Sequence, residues 1–222
     1  CVDVLATGDV DGDGVLDVVV GSEHASEAGL VWYRGPDWEK RPIARGDFTT
    51  DGRVADLDGD GDADVVVSEI VRGLLWFENL GGGVAWREHA TGGGYAHDLV
   101  VGNLDGDARP DLVSADKRGA EVLLRRGDGW SRRRIAELEG EGLALADVDR
   151  DGRTDLLYSN GWLAAPAEPD TGEWTRHVIA PHWPAATRIA SSDLNGDGRL
   201  DAVLTASESK GGLSWFEAPE DP

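Results

Sequence analysis

Five stretches of this 222-residue chain hold the side chains whose type and spacing can do chemistry. They read Asp9-Val-Asp11-Gly-Asp13-Gly-Val15-Leu-Asp17; Asp56-Leu-Asp58-Gly-Asp60-Gly-Asp62-Ala-Asp64; Asn103-Leu-Asp105-Gly-Asp107-Ala-Arg109-Pro-Asp111; Asp147-Val-Asp149-Arg-Asp151-Gly-Arg153-Thr-Asp155; and Asp193-Leu-Asn195-Gly-Asp197-Gly-Arg199-Leu-Asp201. Oxygen donors at positions 1, 3, 5 and 9 join the backbone carbonyl of position 7, which is Val15, Asp62, Arg109, Arg153 or Arg199. Together they supply the six to eight hard ligands that calcium takes at about 2.3–2.6 Å. Glycine at positions 4 and 6 lets such a loop turn. Where a ligand position changes, to Asn103 or Asn195, an oxygen is kept, so up to five Ca2+ ions are expected. The alternative is a set of metal-free Asp/Gly turns, in which crowded carboxylates raise one another's pKa and cost stability. The third loop is the weakest, because Asn103 stands at position 1 and Ala108 replaces the position-6 glycine.

A helix-flanked calcium loop of the EF-hand kind needs a bidentate Glu at position 12. Position 12 here is Val20, Val67, Ser114, Tyr158 or Leu204, so the loops belong between strands. The side-chain ligands take up 18 of the 43 acids, and five divalent ions would move the formal charge from −22 to −12. With 21 Lys+Arg against 43 Asp+Glu, nucleic-acid or anionic-membrane binding would need a local basic patch and is not expected. A single Cys excludes an intrachain disulfide, and no Cys/His cluster suggests zinc or iron–sulfur chemistry. Cys1 reads as a processing or lipid-attachment residue as readily as a thiol nucleophile. No apolar run approaches a membrane span. The start lacks a Met and a signal-like stretch, which suggests a targeting segment already removed.

The loops start 47, 47, 44 and 46 residues apart, and the segments between them repeat too. An apolar run comes next (Val18 to Val20, Val65 to Val67, Leu112-Val113, Leu156-Leu157, Ala202 to Leu204). Then comes an aromatic segment (Trp32-Tyr33, Trp76-Phe77, Trp162-Leu163, Trp215-Phe216, with Leu123-Leu124 in the third unit). A closing segment carries Trp38, Trp86, Trp130 or Trp174. These are short β-branched or aromatic stretches punctuated by Gly, which predicts strands. Four strands per unit of about 46 residues predict an all-β propeller of five repeats, in one domain over 1–222. The blades fall at about 1–46, 47–93, 94–137, 138–181 and 182–222. Runs such as Val18-Val19-Val20 suit strands covered on both faces. Eight of the nine Trp recur at equivalent places and are expected in inter-blade packing, Trp183 being the exception. The fifth unit lacks a fourth segment. That implies an open ring, a partner strand from another chain, or a piece of a longer protein.

With Asp-x-Asp-Gly-Asp-Gly-x-x-Asp, a Val-rich strand and Trp-Phe-Glu all present between Asp56 and Glu78, the chain resembles the calcium-binding propeller repeats called FG-GAP or VCBS-type. Such repeats occur in integrin α-subunits, some lectins, and some polysaccharide lyases and sugar dehydratases. The Phe-Gly and Gly-Ala-Pro words of the integrin version are missing, which points to the bacterial VCBS-like branch. The resemblance implies fold and metal, not ligand.

In a four-stranded blade the acidic loops lie at one end of the strands, and the second-to-third and blade-to-blade loops lie at the other. A ligand face is therefore expected from 46–51, 91–97, 137–142 and 181–187, with the loops near His24, Arg72, Lys117, Gly161 and Lys210. Phe48, Tyr95 and Trp183 stand out there, and with His97 and His182 they suit stacking on and hydrogen bonding to a sugar; plugging of the channel or of a blade interface is the alternative. Glu23, Glu69, Asp116, Asn160 and Glu208 follow the apolar strands and either ring the channel or stand as solvated loop groups. No catalytic constellation is legible. The reading is a calcium-stabilised secreted, periplasmic or cell-surface propeller that binds carbohydrate or an extracellular protein. One alternative is a polysaccharide lyase or sugar dehydratase using His24 beside Glu23, His97 with Tyr95, or His182. Another is an assembly segment that self-associates through its open last blade.

Overall fold

The structure, a computed structural model, describes residues 2–22, 29–138, 140–184, 187–206 and 212–220. Cys1, Glu23, His24, Glu208 and Lys210 lie outside the described residues. The described chain forms five antiparallel sheets, each a simple meander. The first comprises β1 (Val4–Gly8), β2 (Asp17–Gly21), β3 (Leu30–Arg34) and β4 (Glu39–Ala44). The second has β5 (Phe48–Ala55), β6 (Asp64–Glu69), β7 (Gly73–Asn79) and β8 (Trp86–Ala90). The third has β9 (Asp98–Gly102), β10 (Asp111–Asp116), β11 (Gly119–Arg126) and β12 (Gly129–Ala136). In the fourth are β13 (Leu143–Ala146), β14 (Asp155–Tyr158), β15 (Gly161–Ala164) and β16 (Thr175–Val178). The fifth has three strands, β17 (Thr187–Ser192), β18 (Asp201–Ala206) and β19 (Leu213–Phe216). First strands of successive sheets lie side by side, β1 by β5, β5 by β9, β9 by β13 and β13 by β17. This all-β, propeller-like arrangement agrees with the sequence expectation, as does the three-stranded fifth sheet.

Among the described residues the hydrophobic core forms four layers, each between sheets that are consecutive along the chain. Trp32, Val19 and Leu30 meet Val65, Val67 and Phe77 in the first layer. Trp76, Val66 and Leu74 meet Leu99, Leu112 and Leu123 in the second. In the third, Val113, Val122 and Leu124 meet Leu156, Leu163 and Trp174. In the fourth, Leu157 and Trp162 meet Ile189, Ala202 and Leu204. The period-2 alternation of a strand sends Val65 and Val67 to one neighbour and Val66 to the other, so β6 is buried along its whole length.

The end sheets differ. Val18 and Val20 are only half-buried, so the expectation of two-sided cover fails there. On the fifth sheet Leu213 is 73% and Trp215 49% exposed. Trp215 and Trp38 (55% exposed) are therefore exceptions to the expected burial of the repeated Trp. Trp215 lies on an uncovered strand, and Trp38 in a turn at φ 58°.

Candidate functional site

At one end of the strands the five acidic loops share a hydrogen-bond scheme. The position-9 carboxylates, Asp17, Asp64, Asp111, Asp155 and Asp201, are wholly buried. One oxygen of each accepts the N–H of position 2 (Val10, Leu57, Leu104, Val148, Leu194) at 2.8–3.1 Å. The other accepts an N–H at the end of the third strand or just beyond it (Gly35, Asn79, Arg125, Ala165, Ala218) at 2.8–2.9 Å. Each is thus a clamp fastening loop to sheet. Burial raises Asp64, Asp111 and Asp155 to about 6, against the lowering effect of those same N–H donors.

Position 5 accepts the N–H of position 7 in all five loops, at 2.7–2.9 Å. Where position 6 is Gly, its own N–H donates to the position-1 carboxylate: Gly14 to Asp9, Gly61 to Asp56, Gly152 to Asp147 and Gly198 to Asp193. Those four glycines have φ of 83–95°, the left-handed region. Ala108 is not among the positive-φ residues, and in its loop the Asn103 amide donates to the Asp107 carbonyl instead.

Three carboxylates come within 4.8 Å of one another at Asp9, Asp11 and Asp13, at Asp56, Asp58 and Asp64, and at Asp147, Asp149 and Asp155. Loops three and five carry Asn in place of one carboxylate. Asp11 Oδ1 is buried without a hydrogen-bond partner. An oxygen left over inside a cluster of oxygens fits a cation, so the donor sets suit a hard metal ion.

Sequence reasoning missed the arginines. Arg34 of β3 pairs with Asp11 and Asp13, Arg126 of β11 with Asp105, Arg153 with Asp151 and Arg199 with Asp197. Only the register of the third strand brings Arg34 and Arg126 to these loops. The second loop has no such partner among the described residues, and burial, ahead of neighbouring carboxylates, raises Asp58.

At the other strand ends, Tyr95, His97, Asp98, Asp116, Lys117 and Arg118 line a cavity of about 830 Å³ together with Leu138 and Glu141. His97 Nδ1 is 3.1 Å from Asp98 and its Nε2 3.5 Å from Glu141. The buried Asp98 also receives Arg188 of β17 at 2.9 Å. Of the residues expected to stack on or hydrogen-bond a sugar, this cavity brings together Tyr95 and His97, and it draws Lys117, Leu138 and Glu141 from the other segments expected on that face.

Phe48 is corrected. It opens β5 with no exposed surface, edge-on to Phe77 at 5.8 Å, in space left by Gly21, Gly29 and Gly46. Trp183 is partly buried on the fourth core layer, edge-on to Phe216 at 5.8 Å, as the plugging alternative expects. His182 is exposed and apart from the cavity residues. Glu69 and Asp116, two of the acids that follow the apolar strands, are engaged locally. Glu69 caps the N–H groups of Val71 and Arg72, and Asp116 accepts from the Arg118 backbone and guanidinium. Both close their own turns.

The FG-GAP-like repeat family matches residues 9–67 and 103–158. Cartilage acidic protein 1 of Xenopus tropicalis is 28% identical over 101 residues, 42% of this chain and 15% of that protein. Among solved structures, the chain superposes with TM-score 0.65 on an Agrocybe aegerita lectin described as recognising non-reducing terminal N-acetylglucosamine. Identity is 16%, and 98% of this chain and 66% of that one are covered. The V. cholerae biofilm matrix protein Bap1 gives TM-score 0.59 at 13% identity, covering 98% of this chain and 38% of its own. These are likenesses of fold, and the chain spans only part of each relative. Among the described residues no helix is long and apolar enough to cross a membrane.

Proposed function

The chain belongs to the FG-GAP-like repeat family, and from that premise we propose that it is a calcium-stabilised propeller module, secreted or at the cell surface, that binds carbohydrate. The observation that carries this reading is the cavity of about 830 Å³ with Tyr95 at its wall, 38% exposed, and His97, Asp98 and Arg118 beside it. An exposed aromatic ring among hydrogen-bonding groups is what a sugar needs for stacking and for its hydroxyls. Likeness to a lectin and to a biofilm matrix protein supports the binding role and the compartment. The acidic loops would hold Ca2+ at positions 1, 3, 5, 7 and 9. The second loop is the tightest site, since no arginine competes there. The missing FG and GAP words support the VCBS-like branch. Extracellular calcium is abundant enough to fill loops of this kind.

A glycan array with calcium present, run on wild type and Tyr95→Ala, tests this. Binding that falls at least tenfold in the variant is expected, and a wild type that binds no glycan overturns the reading. A second reading, a carbohydrate lyase, draws on His97 held between Asp98 and Glu141 with Tyr95 in the same cavity. Unsaturated-product absorbance on uronate polysaccharides, abolished in His97→Gln, is its expected signature; no rise with wild type removes it.

A further inference from the structure

We propose that the sugar bound here is anionic, and that the groove between the third and fourth sheets holds its carboxylate or sulfate against Lys117 and Arg176. This deepens the carbohydrate-binding reading and rests on it. A second cavity of about 630 Å³, lined by Lys117, Arg118, Glu137, Leu138, Tyr158, Asn160 and Arg176, shares Lys117, Arg118 and Leu138 with the first. The two make one groove running from Tyr95 on the third sheet's side to Arg176 on the fourth's.

Its charge stands against that of the molecule. The segment 94–137 carries eight Lys+Arg and eight Asp+Glu, so the whole formal charge of −22 lies outside it. Among the described residues the second cavity sets three cations against Glu137. Lys117 and Arg118 are neighbours in the turn between β10 and β11, and strand β16 brings Arg176 beside them.

The cations differ in how far their charge is used. Arg118 is neutralised by Asp116, with contacts at 2.6 and 2.7 Å. Lys117 is exposed and forms no ion pair among the described residues. Arg176 lies over the Tyr158 ring, 5.6 Å from its centroid, and donates to the Glu137 carbonyl, with no carboxylate partner among the described residues. A guanidinium anchored by a ring and a backbone oxygen is pre-positioned yet keeps its charge for a ligand. Acids of the adjoining cavity are engaged, Asp98 by Arg188 and His97, and Glu141 beside His97. At physiological salt, screening within about 8 Å confines the repulsion of the distant acids. The nearby cations therefore decide what enters. Tyr158 and Leu138 give an apolar floor, and Asn160 an amide for a hydroxyl.

The test is calorimetric binding of four probes to the calcium-loaded protein: a neutral galactan oligosaccharide, an oligogalacturonate, a sulfated galactan oligosaccharide, and a single-stranded oligonucleotide of equal charge. Wild type is compared with the double variant Lys117→Gln/Arg176→Gln, whose fold is checked by circular dichroism. Both sites are exposed, so the variant is expected to fold. One of the two acidic sugars should bind at least tenfold more tightly than the neutral one, and lose that margin in the variant and in high salt. The arm that binds names carboxylate or sulfate. Equal binding of neutral and acidic sugars overturns the inference and leaves the carbohydrate reading standing. Equal binding of the oligonucleotide overturns it in favour of a general polyanion site. Binding of no sugar removes both readings.

Discussion

The position-9 aspartates are the residues on which each loop depends most directly. Asp111 accepts N–H groups from Leu104 and Arg125 at 2.8 Å while wholly buried. In Asp111→Asn one acceptor becomes an NH2 facing an N–H. We expect a loss of about 1–3 kcal/mol in urea unfolding, measured with chelator so that metal does not enter. Asp116 makes a different prediction. Burial pushes its pKa up, but the Arg118 hydrogen bonds and the Arg118 and Arg134 charges outweigh this and leave it lowered. A depressed carboxylate stabilises the fold above its unfolded pKa of about 4 and loses that contribution as pH falls through the folded value. The unfolding midpoints of wild type and Asp116→Asn should therefore differ at pH 6 and converge below pH 4. Loop chemistry was legible in the sequence because its ligands are neighbours along the chain. The clamping role of Asp111, and the pairing of Arg34 and Arg126 with loop carboxylates, were not, because their partners come from third strands fixed by sheet register.

At the scale of the elements, the joints between sheets are as specific as the strands. Trp32 of the first sheet donates its indole N–H to the Gly83 carbonyl of the second at 3.2 Å, and the Asn79 amide returns to Val10 at 2.8 Å. Gly83 has φ 66°, and a Cβ there would stand 2.5 Å from the Trp32 ring. Gly83→Ala should cost about 2–4 kcal/mol from the left-handed backbone and the overpacked joint, read by thermal unfolding. The third sheet joins the second through Arg125, 5% exposed, with its guanidinium over Trp76 at 4.8 Å and Trp130 at 5.1 Å. Repeat length, strand order and the missing last strand could be read from periodicity. The burial of Phe48 could not, since it depends on glycines 21, 29 and 46 converging from outside its own strand.

For the whole molecule, the balance of charge sets the terms. Carboxylates gathered into loops at one end repel one another, and a bound cation relieves this in the folded state alone. Removing metal with a chelator should lower stability by about 3 kcal/mol for each site previously held at a hundredfold its Kd, visible as a fall in melting temperature that added Ca2+ restores. Magnesium should restore less, because it resists dehydration and demands octahedral geometry. The open faces of the first and fifth sheets were only half foreseen: the missing strand was expected, while the exposed flat surface beside it follows from the stacking of sheets. Trp215 on that surface, with Trp38, sets about half its indole in water while Trp32 and Trp76 sit in the core. The fluorescence of the protein is therefore composite, with a long-wavelength part open to a collisional quencher such as iodide. Anything that settles on the fifth sheet would shield Trp215 and shrink that quenchable part, so the molecule carries its own reporter for the occupation of its bare flank.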